Sequence, residues 1–225
     1  MDNEVTQSGV DSAQGRVPRR AIIGAGLGGA ALSLLPFLGG RAAATDTTSP
    51  GTTAAGGTAE ATTTTAPPLR PTADDVSLLG FAQQLEIAAM RLYDQALAQV
   101  KWTPGQQSVV ATIRQQHAAY SASLSGLLGR NAPNSKSDQI FSKFSSGFTG
   151  DAKTVMQTAW QLESSAVATH LDILAKLQGV NGAALLASIQ ITEARNGTVL
   201  ADMASISDEA KLLVDTEAPS LLGNG

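Results

Sequence analysis

The chain of 225 residues contains no cysteine, and this absence excludes several classes of site at once. Disulfides, thiolate zinc sites, cysteine nucleophiles and lipid attachment at a signal-peptide cysteine are all ruled out. Aromatic residues make up only 4% of the chain, so a core has to be built mainly from Ala, Leu, Ile and Val. Charged residues make up 15%, with a net charge of -4 and no basic patch interleaved with aromatics, which argues against nucleic-acid binding.

The N-terminal segment 1–44 has the composition of a targeting sequence, and we exclude it from the fold. Arg19 and Arg20 precede a stretch, residues 21–40, that contains no charged residue, and three alanines at 42–44 form a small-residue cleavage site. This pattern resembles a twin-arginine export signal. The resemblance implies the twin-arginine translocase as a partner and a location outside the cytoplasm, in the periplasm, in the cell wall or as a secreted protein.

An uncleaved membrane anchor is the alternative for the same segment. The uncharged stretch has 20 residues, which is just enough for a helix to span a bilayer. Its six glycines and Pro36 disfavour a buried core helix. Pro18 also stands where twin-arginine signals usually have Ser or Thr. We predict a cleavable export signal, with the membrane-anchored form as the alternative.

Residues 45–72 are predicted to form a disordered linker. Of these 28 residues, 23 are Thr, Ala, Pro or Gly, so the segment has almost no apolar surface to offset the entropy of ordering it. The C-terminal tail, residues 206–225, is different because it contains large apolar side chains, among them Leu212, Leu213, Val214, Leu221 and Leu222. Part of this tail is therefore expected to dock on the domain that lies between the two segments.

The interval 73–205 contains four segments with the apolar periodicity of helices. Asp74 and Asp75 favour the start of the first segment, and Thr103-Pro104 supply an N-cap and a first helical residue for the second. Asn181-Gly182 precede the fourth segment. In order, the segments, named A to D, cover about 74–100, 104–129, 151–178 and 183–205.

The connections between these segments predict an all-α four-helix bundle with a long B–C crossover. Short loops join A to B and C to D, so each pair forms an antiparallel hairpin. About 20 residues, 130–149, separate B from C, and they are enough to cross the length of a bundle. This order of short, long and short connections is expected of ferritin-like bundles with one crossover.

Each apolar stripe is interrupted near its middle by one ionisable residue. Glu86, His117, Glu163 and Glu193 occupy these positions on A to D. Because helices of similar length packed antiparallel bring their midpoints into one layer, three carboxylates and an imidazole are predicted to meet inside the bundle. Burying an unpaired carboxylate costs several kcal/mol, so a divalent cation, bound protons or a nearby arginine has to compensate. Carboxylate and imidazole ligands suit iron, manganese or zinc.

The four segments resemble the ferritin-like superfamily, specifically the bacterial ferritin-like domain proteins that carry an export signal. The resemblance rests on the stretches FAQQLEIAAMRLYDQAL, RQQHAAYSASLSGLLG, WQLESSAVATHLDILAKL and ITEARNGTVLADM. It implies that Glu86 and Glu163 match the helices with a single Glu ligand. It also implies that Glu193 and Asn196 match a Glu-x-x-His pair in which Asn replaces His. The ligand set of a di-iron centre is therefore incomplete.

Segment B admits two alignments with that pattern. The interrupting residues are 31 positions apart on A and B and 30 apart on C and D, which favours His117 at the Glu position and Tyr120 at the His position. In the other alignment, Arg114 takes the Glu position and His117 remains the histidine. In either case His117 is a metal ligand or an ion-pair partner of the carboxylates.

Four further residues are expected beside the predicted ligands. Tyr93 and Tyr120 are expected to direct their hydroxyls at the carboxylates, and Asn196 lies in the same layer. His170, seven residues after Glu163 on the same side of segment C, is expected directly behind the ligands or at the rim of the layer. The predicted metal ligands themselves are Glu86, His117, Glu163 and Glu193.

Two functional hypotheses follow from this layer. In the first, the exported protein binds one or two transition-metal ions in the bundle core, and any enzymatic activity is that of a metal-dependent oxidoreductase. In the second, the domain is a degenerate ferritin-like bundle without metal, with a structural or binding role in the cell envelope. A role without catalysis is favoured. An envelope protein or a second copy of the chain fits either hypothesis as a partner.

Overall fold

The computed structural model describes residues 66–213 and 215–223, and its regular elements in these ranges are all helical. The α-helices are α1 Ala73–Gln99, α2 Pro104–Leu128, α3 Asp138–Phe144, α4 Ala152–Leu174, α5 Val180–Met203 and α6 Glu209–Leu213. Helices α1, α2, α4 and α5 correspond to segments A to D, and the all-α fold is confirmed. None of the described helices is long and apolar enough to cross a membrane. The predicted signal and most of the predicted linker lie outside the described residues.

The N-termini of three long helices are fixed by side-chain caps. Thr72 accepts a hydrogen bond from the backbone N–H of Asp75, whose carboxylate accepts one from the N–H of Thr72 in return. Thr103 and Gln106 form the same reciprocal pair at α2, with Pro104 as the first helical residue. Asp151 caps α4 by accepting two backbone N–H groups. These bonds satisfy N–H groups that have no partner within the helix.

Helix α5 begins earlier than the sequence indicated. Asn181 and Gly182 lie inside its first turn, although they were predicted to precede it. The backbone N–H groups of Val180 and Asn181 donate to the carbonyls of Pro68 and Leu69, at 2.9 and 3.0 Å. These carbonyls replace a side-chain cap. The end of the predicted linker therefore packs against the bundle.

Two helical hairpins form the bundle. Helix α1 packs chiefly on α2, and α4 packs chiefly on α5, while α1–α4 and α2–α5 contacts join the hairpins. The crossover from α2 to α4, predicted as a long connection, contains α3 and the 3-10 helices Gly129–Asn131 and Ser145–Phe148. Three of its apolar side chains are buried, which explains why this mostly polar segment folds onto the bundle: Ile140, Phe144 and Phe148.

A buried glutamine anchors the start of the crossover. Gln83 donates from Nε2 to the side-chain oxygen of Asn134 at 2.9 Å and accepts from the backbone N–H of Asn134 at 3.0 Å. Asn134 has a φ of 51°, in the left-handed region that Asn tolerates better than most residues. The amide pair therefore fixes the point where the chain leaves the first hairpin.

A second anchor ties the first hairpin to the second. The carboxylate of Asp75, only 1% exposed, accepts from the backbone N–H groups of Gln178 and Gly179 at 2.9 and 2.8 Å. A Cβ on Gly179 would lie 2.7 Å from the carbonyl oxygen of Arg70, so only glycine fits this approach. Burial raises the pKa of Asp75, but the hydrogen bonds from Gln178, Thr72 and Gly179 outweigh it, and the pKa is lowered overall.

The buried apolar residues form two clusters. On α2, His117 lies between Ile113 of the first cluster and Tyr120 of the second, and on α5 Glu193 lies between Ile189 of the second and Leu200 of the first. The C-terminal tail docks as predicted in part, because Leu221 packs on the first cluster and Leu222 on the second. The fold therefore places one polar layer across the middle of an apolar bundle.

Candidate metal centre

The structure brings the four predicted ligands together and adds one histidine. Glu86, His117, Glu163 and Glu193 are each 0% exposed, and His170 is equally buried. Each comes from the inward face of a long helix, where the apolar stripe is interrupted. The polar layer, defined here as these five residues with Tyr93 and Asn196, contains three carboxylates and two imidazoles.

His117 bridges two of the carboxylates. Its Nδ1 lies 2.7 Å from Oε2 of Glu86, and its Nε2 lies 3.0 Å from Oε1 of Glu163. Burial disfavours the charged imidazole, but the charge of Glu163 and the hydrogen bonds to both carboxylates outweigh burial and hold the pKa of His117 well above its usual value. His117 therefore carries both ring protons and donates to both carboxylates.

Glu163 is satisfied at both oxygens. Tyr93 donates its hydroxyl to Oε1 at 2.6 Å, and Asn196 donates Nδ2 to Oε2 at 3.3 Å. The ring of Tyr93 stacks on that of His117 with centroids 5.5 Å apart. The ring of Phe148, which belongs to the crossover, packs nearly perpendicular to the ring of Tyr93. Burial and the charge of Glu163 raise the pKa of Tyr93 well above its usual value. We call His117, Glu163, Tyr93 and Asn196 the closed half of the layer.

The rest of the layer is not satisfied. His170 Nδ1 lies 2.7 Å from Oε2 of Glu193, but its Nε2 is 3.5 Å from Oε1 of Glu86, longer than a well-formed hydrogen bond. Among the described residues, Glu86 Oε1, His170 Nε2 and Glu193 Oε1 are buried atoms without a hydrogen-bond partner. Each of these residues offers one ligand atom within 4.8 Å of the others. We call Glu86, His170 and Glu193 the open half.

The protonation of the open half reflects its burial. Burial raises the pKa of Glu193 to about 7, against the attraction of a charged His170. Burial disfavours the charged form of His170, yet the charge of Glu193 and the hydrogen bond between them raise the pKa of His170. A carboxylate and an imidazole therefore share protons near neutral pH, in a position where a cation can replace those protons.

Tyr120 and Arg114 behave differently from the layer residues. Tyr120 is buried, but its hydroxyl has no hydrogen-bond partner in the described part of the chain, so the expected bond to a carboxylate is not formed. Arg114 lies outside the layer, where its guanidinium bonds the carboxylate of Asp94 at 2.7 and 3.3 Å. Of the two alignments of segment B, this arrangement agrees with the one that places His117 and Tyr120 at the inward positions.

His170 is the residue whose place the sequence indicated least well. It was expected directly behind the ligands or at the rim of the layer, because seven helical residues after Glu163 correspond to a rise of about 10.5 Å. In the structure it is fully buried and bonds Glu193, which makes the layer two tiers deep. Its position on the buried face of α4, two turns from a buried Glu, is the signal in the sequence. Whether His117 or His170 binds metal stays a prediction.

Comparison with known proteins identifies a family for the bundle. A family model described as a ferritin-like domain matches residues 74–205, which is more than half of the chain and contains the four long helices. Neither the curated proteins nor the solved structures provide a match.

Proposed function

Because the chain belongs to the ferritin-like domain family, we propose that its bundle binds one divalent transition-metal ion through Glu86, His170 and Glu193, outside the cytoplasm. One observation carries this proposal: each of the three residues holds a buried ligand atom without a hydrogen-bond partner, and each offers a ligand atom within 4.8 Å of those of the other two. A buried polar atom without a partner costs about 1–3 kcal/mol, so three in one place are best explained by a ligand that they share.

A single ion fits this layer better than two. A second ion would need Glu163 and His117, but both oxygens of Glu163 accept hydrogen bonds and both nitrogens of His117 contact carboxylates. The positive charge of His117 already compensates part of the negative charge in that half. Asn196 stands where the family pattern has a histidine ligand, and its amide is used on Glu163.

The donor set narrows the choice of metal. Two carboxylates and one imidazole suit iron, manganese or zinc, in agreement with the sequence prediction. Iron or manganese would supply redox chemistry in this site and zinc would supply a Lewis acid. The residues of this chain would hold the ion, exclude water by their burial and release protons from His170 and Glu193 as it binds.

Elemental analysis of the mature protein tests the proposal. The full precursor is produced in an export-competent host, and the mature protein is recovered without chelators. We expect close to one equivalent of iron, manganese or zinc per chain, and its loss in Glu193→Gln. Glu217→Gln is the matched control, because Glu217 is exposed and takes part in none of the hydrogen bonds of the layer. A protein that contains no metal and takes up none of the three added ions would overturn the proposal.

Export through the twin-arginine translocase is a separate part of the proposal. It is supported by Arg19-Arg20, the uncharged stretch 21–40 and the alanines at 42–44. Replacement of both arginines by lysine is expected to retain the protein in the cytoplasm, measured by cell fractionation. Normal export of that variant would contradict this route, and mature protein that begins before residue 21 would favour the membrane-anchored form.

A metal-free bundle with a structural or binding role in the envelope is the second candidate. The closed half favours it, because there a buried Glu is compensated by protein groups alone. Under this hypothesis, Glu193→Gln stabilises the protein or leaves its stability unchanged, and added metal does not raise the thermal midpoint of the parent protein. Under the first reading, added metal raises the midpoint of the parent protein and not that of Glu193→Gln.

A further inference from the structure

A cavity leads from the protein surface to the open half of the layer. It lies between α4, α5 and the C-terminal tail, and its lining includes Val167 of α4, Thr198 of α5 and the buried ligand Glu193. Thr198 is exposed whereas Glu193 has no solvent-exposed surface, so the lining of the cavity runs from the protein surface to one buried residue of the layer. Its volume is about 30 Å³, and one water needs about 10–15 Å³ of such space. A small, partly hydrated ion can therefore occupy it.

The C-terminal tail forms the outer wall of this cavity. Lys211 and Leu212 of α6 and the following Asp215 line it, and all three are partly buried. The tail makes a second contact with the bundle near its end, where the backbone N–H of Leu221 donates to Oγ1 of Thr169 in α4 at 2.8 Å. Thr169 directly precedes His170. The tail thus lies against α5 near Glu193 and against α4 next to His170.

We propose that this cavity is the passage by which a divalent metal ion enters and leaves the bundle, and that Lys211, Leu212 and Asp215 of the tail restrict that passage. The inference rests on the proposed function. Asp215 places one carboxylate in the tail, and Glu193 places another at the buried end of the cavity. Both carboxylates attract cations, whereas the ammonium group of Lys211 repels them. A second cavity, between α3 and residues 219–223, has no residue of the open half in its lining.

The first test measures exchange rates with Co²⁺ as the probe ion, followed by its visible absorption in the full chain. Leu212→Ala widens the passage and is expected to raise the association and dissociation rates together, leaving Kd unchanged. Val167→Phe fills the passage and is expected to lower both rates roughly tenfold, within the range that association rates span among mutants of one site. Val199→Phe is the matched control, because Val199 lies on the exposed side of α5. Equal rates in all four proteins would overturn the inference.

The second test needs no metal, because the chain contains no cysteine. Ser164→Cys places a single thiol in the cavity lining. Methyl methanethiosulfonate is expected to modify it more slowly than the exposed thiol of Ser123→Cys, and Leu212→Ala should speed the reaction of the first thiol only. Equal acceleration of both thiols, or none, would overturn the role of the tail. Failure of Co²⁺ to bind the parent protein would overturn the proposed function and the passage with it, whereas binding at unchanged rates overturns the passage alone.

Discussion

The two halves of the polar layer are made of similar groups but differ in how completely they are satisfied. In the closed half, both carboxylate oxygens of Glu163 accept hydrogen bonds, and the donors are Tyr93, His117 and Asn196. In the open half, Glu193 and His170 make one bond to each other and leave one atom each without a partner. The carboxylates and imidazoles of both halves are fully buried, so burial alone does not identify a site. The distinction lies in which hydrogen bonds the protein leaves unmade.

The largest effect on stability is expected in the closed half. His117→Leu removes the cation that Glu86 and Glu163 share, and breaking a buried ion pair costs about 3–5 kcal/mol. The free energy of unfolding in urea, measured in the presence of EDTA, checks this value. The double variant His117→Leu/Glu163→Gln should recover part of the loss, because it removes one uncompensated charge. A loss below about 1 kcal/mol for the single variant would contradict a closed half held together by His117.

Substitution in the open half should lower metal affinity more than it lowers the free energy of unfolding. His170→Gln removes a proposed ligand, and we expect metal affinity to fall by at least about 100-fold, the upper end of what groups behind the ligands contribute. Competition with a chromophoric chelator measures this change. Stability in EDTA should fall by about 1–3 kcal/mol, less than for His117→Leu, because His170 makes one well-formed hydrogen bond to a carboxylate where His117 makes two. Equal metal affinity in parent and variant would place the ion elsewhere.

Asp75 is a third buried carboxylate to compare with Glu163 and Glu193, and its hydrogen bonds come mainly from backbone N–H groups. Asp75→Asn replaces an acceptor with a donor that faces backbone N–H groups, and we expect a loss of about 2–3 kcal/mol at neutral pH. Chemical unfolding at a series of pH values measures it.

The pH dependence of that loss has a defined sign. The pKa of folded Asp75 is lowered from its ordinary value of 3.8. Its contribution to stability is therefore fully present above the unfolded pKa and disappears as the pH falls through the folded pKa. The difference between Asp75→Asn and the parent should be constant from neutral pH to about pH 5 and shrink below pH 3.8. A difference that grows on acidification would contradict the hydrogen bonds described for Asp75.

The smallest expected change in the free energy of unfolding is that of substituting the two buried tyrosines by phenylalanine. Tyr93→Phe removes a hydroxyl that donates to a carboxylate, which we expect to cost about 1.5 kcal/mol. Tyr120→Phe removes a hydroxyl for which the described residues offer no partner, and we expect it to be neutral or slightly stabilising. Urea unfolding of both variants in EDTA is the measurement. Equal losses would show that the two hydroxyls are not distinguished by their hydrogen bonds.

The helices and the composition of the layer were predictable because both follow from local periodicity. Apolar residues at helical spacing define the four long helices, and a Glu or His within such a stripe has to be buried with them. Thr103-Pro104 mark the start of α2 in the sequence as they do in the structure. The crossover was predictable in length only, because Ile140, Phe144 and Phe148 acquire their role from contacts with distant helices.

The arrangement within the layer was less accessible from the sequence. Spacing places His117 and the three Glu residues at one level, but it cannot show which donor reaches which oxygen. His170 enters the layer because α4 and α5 are antiparallel, which brings it beside Glu193. Tyr120 illustrates the opposite error, since a position on the inward face did not give its hydroxyl a partner.

The link made by Asp75 also affects how the domain folds and unfolds. It joins backbone groups 103 and 104 positions further along the chain, whereas each hairpin is built from much closer contacts. Contacts between distant residues carry a larger loop-closure cost, so the two hairpins should form first and the Asp75 link late. An interaction absent from the folding transition state acts mainly on the unfolding rate. Asp75 therefore lengthens the lifetime of the folded domain while leaving the speed at which it forms nearly unchanged.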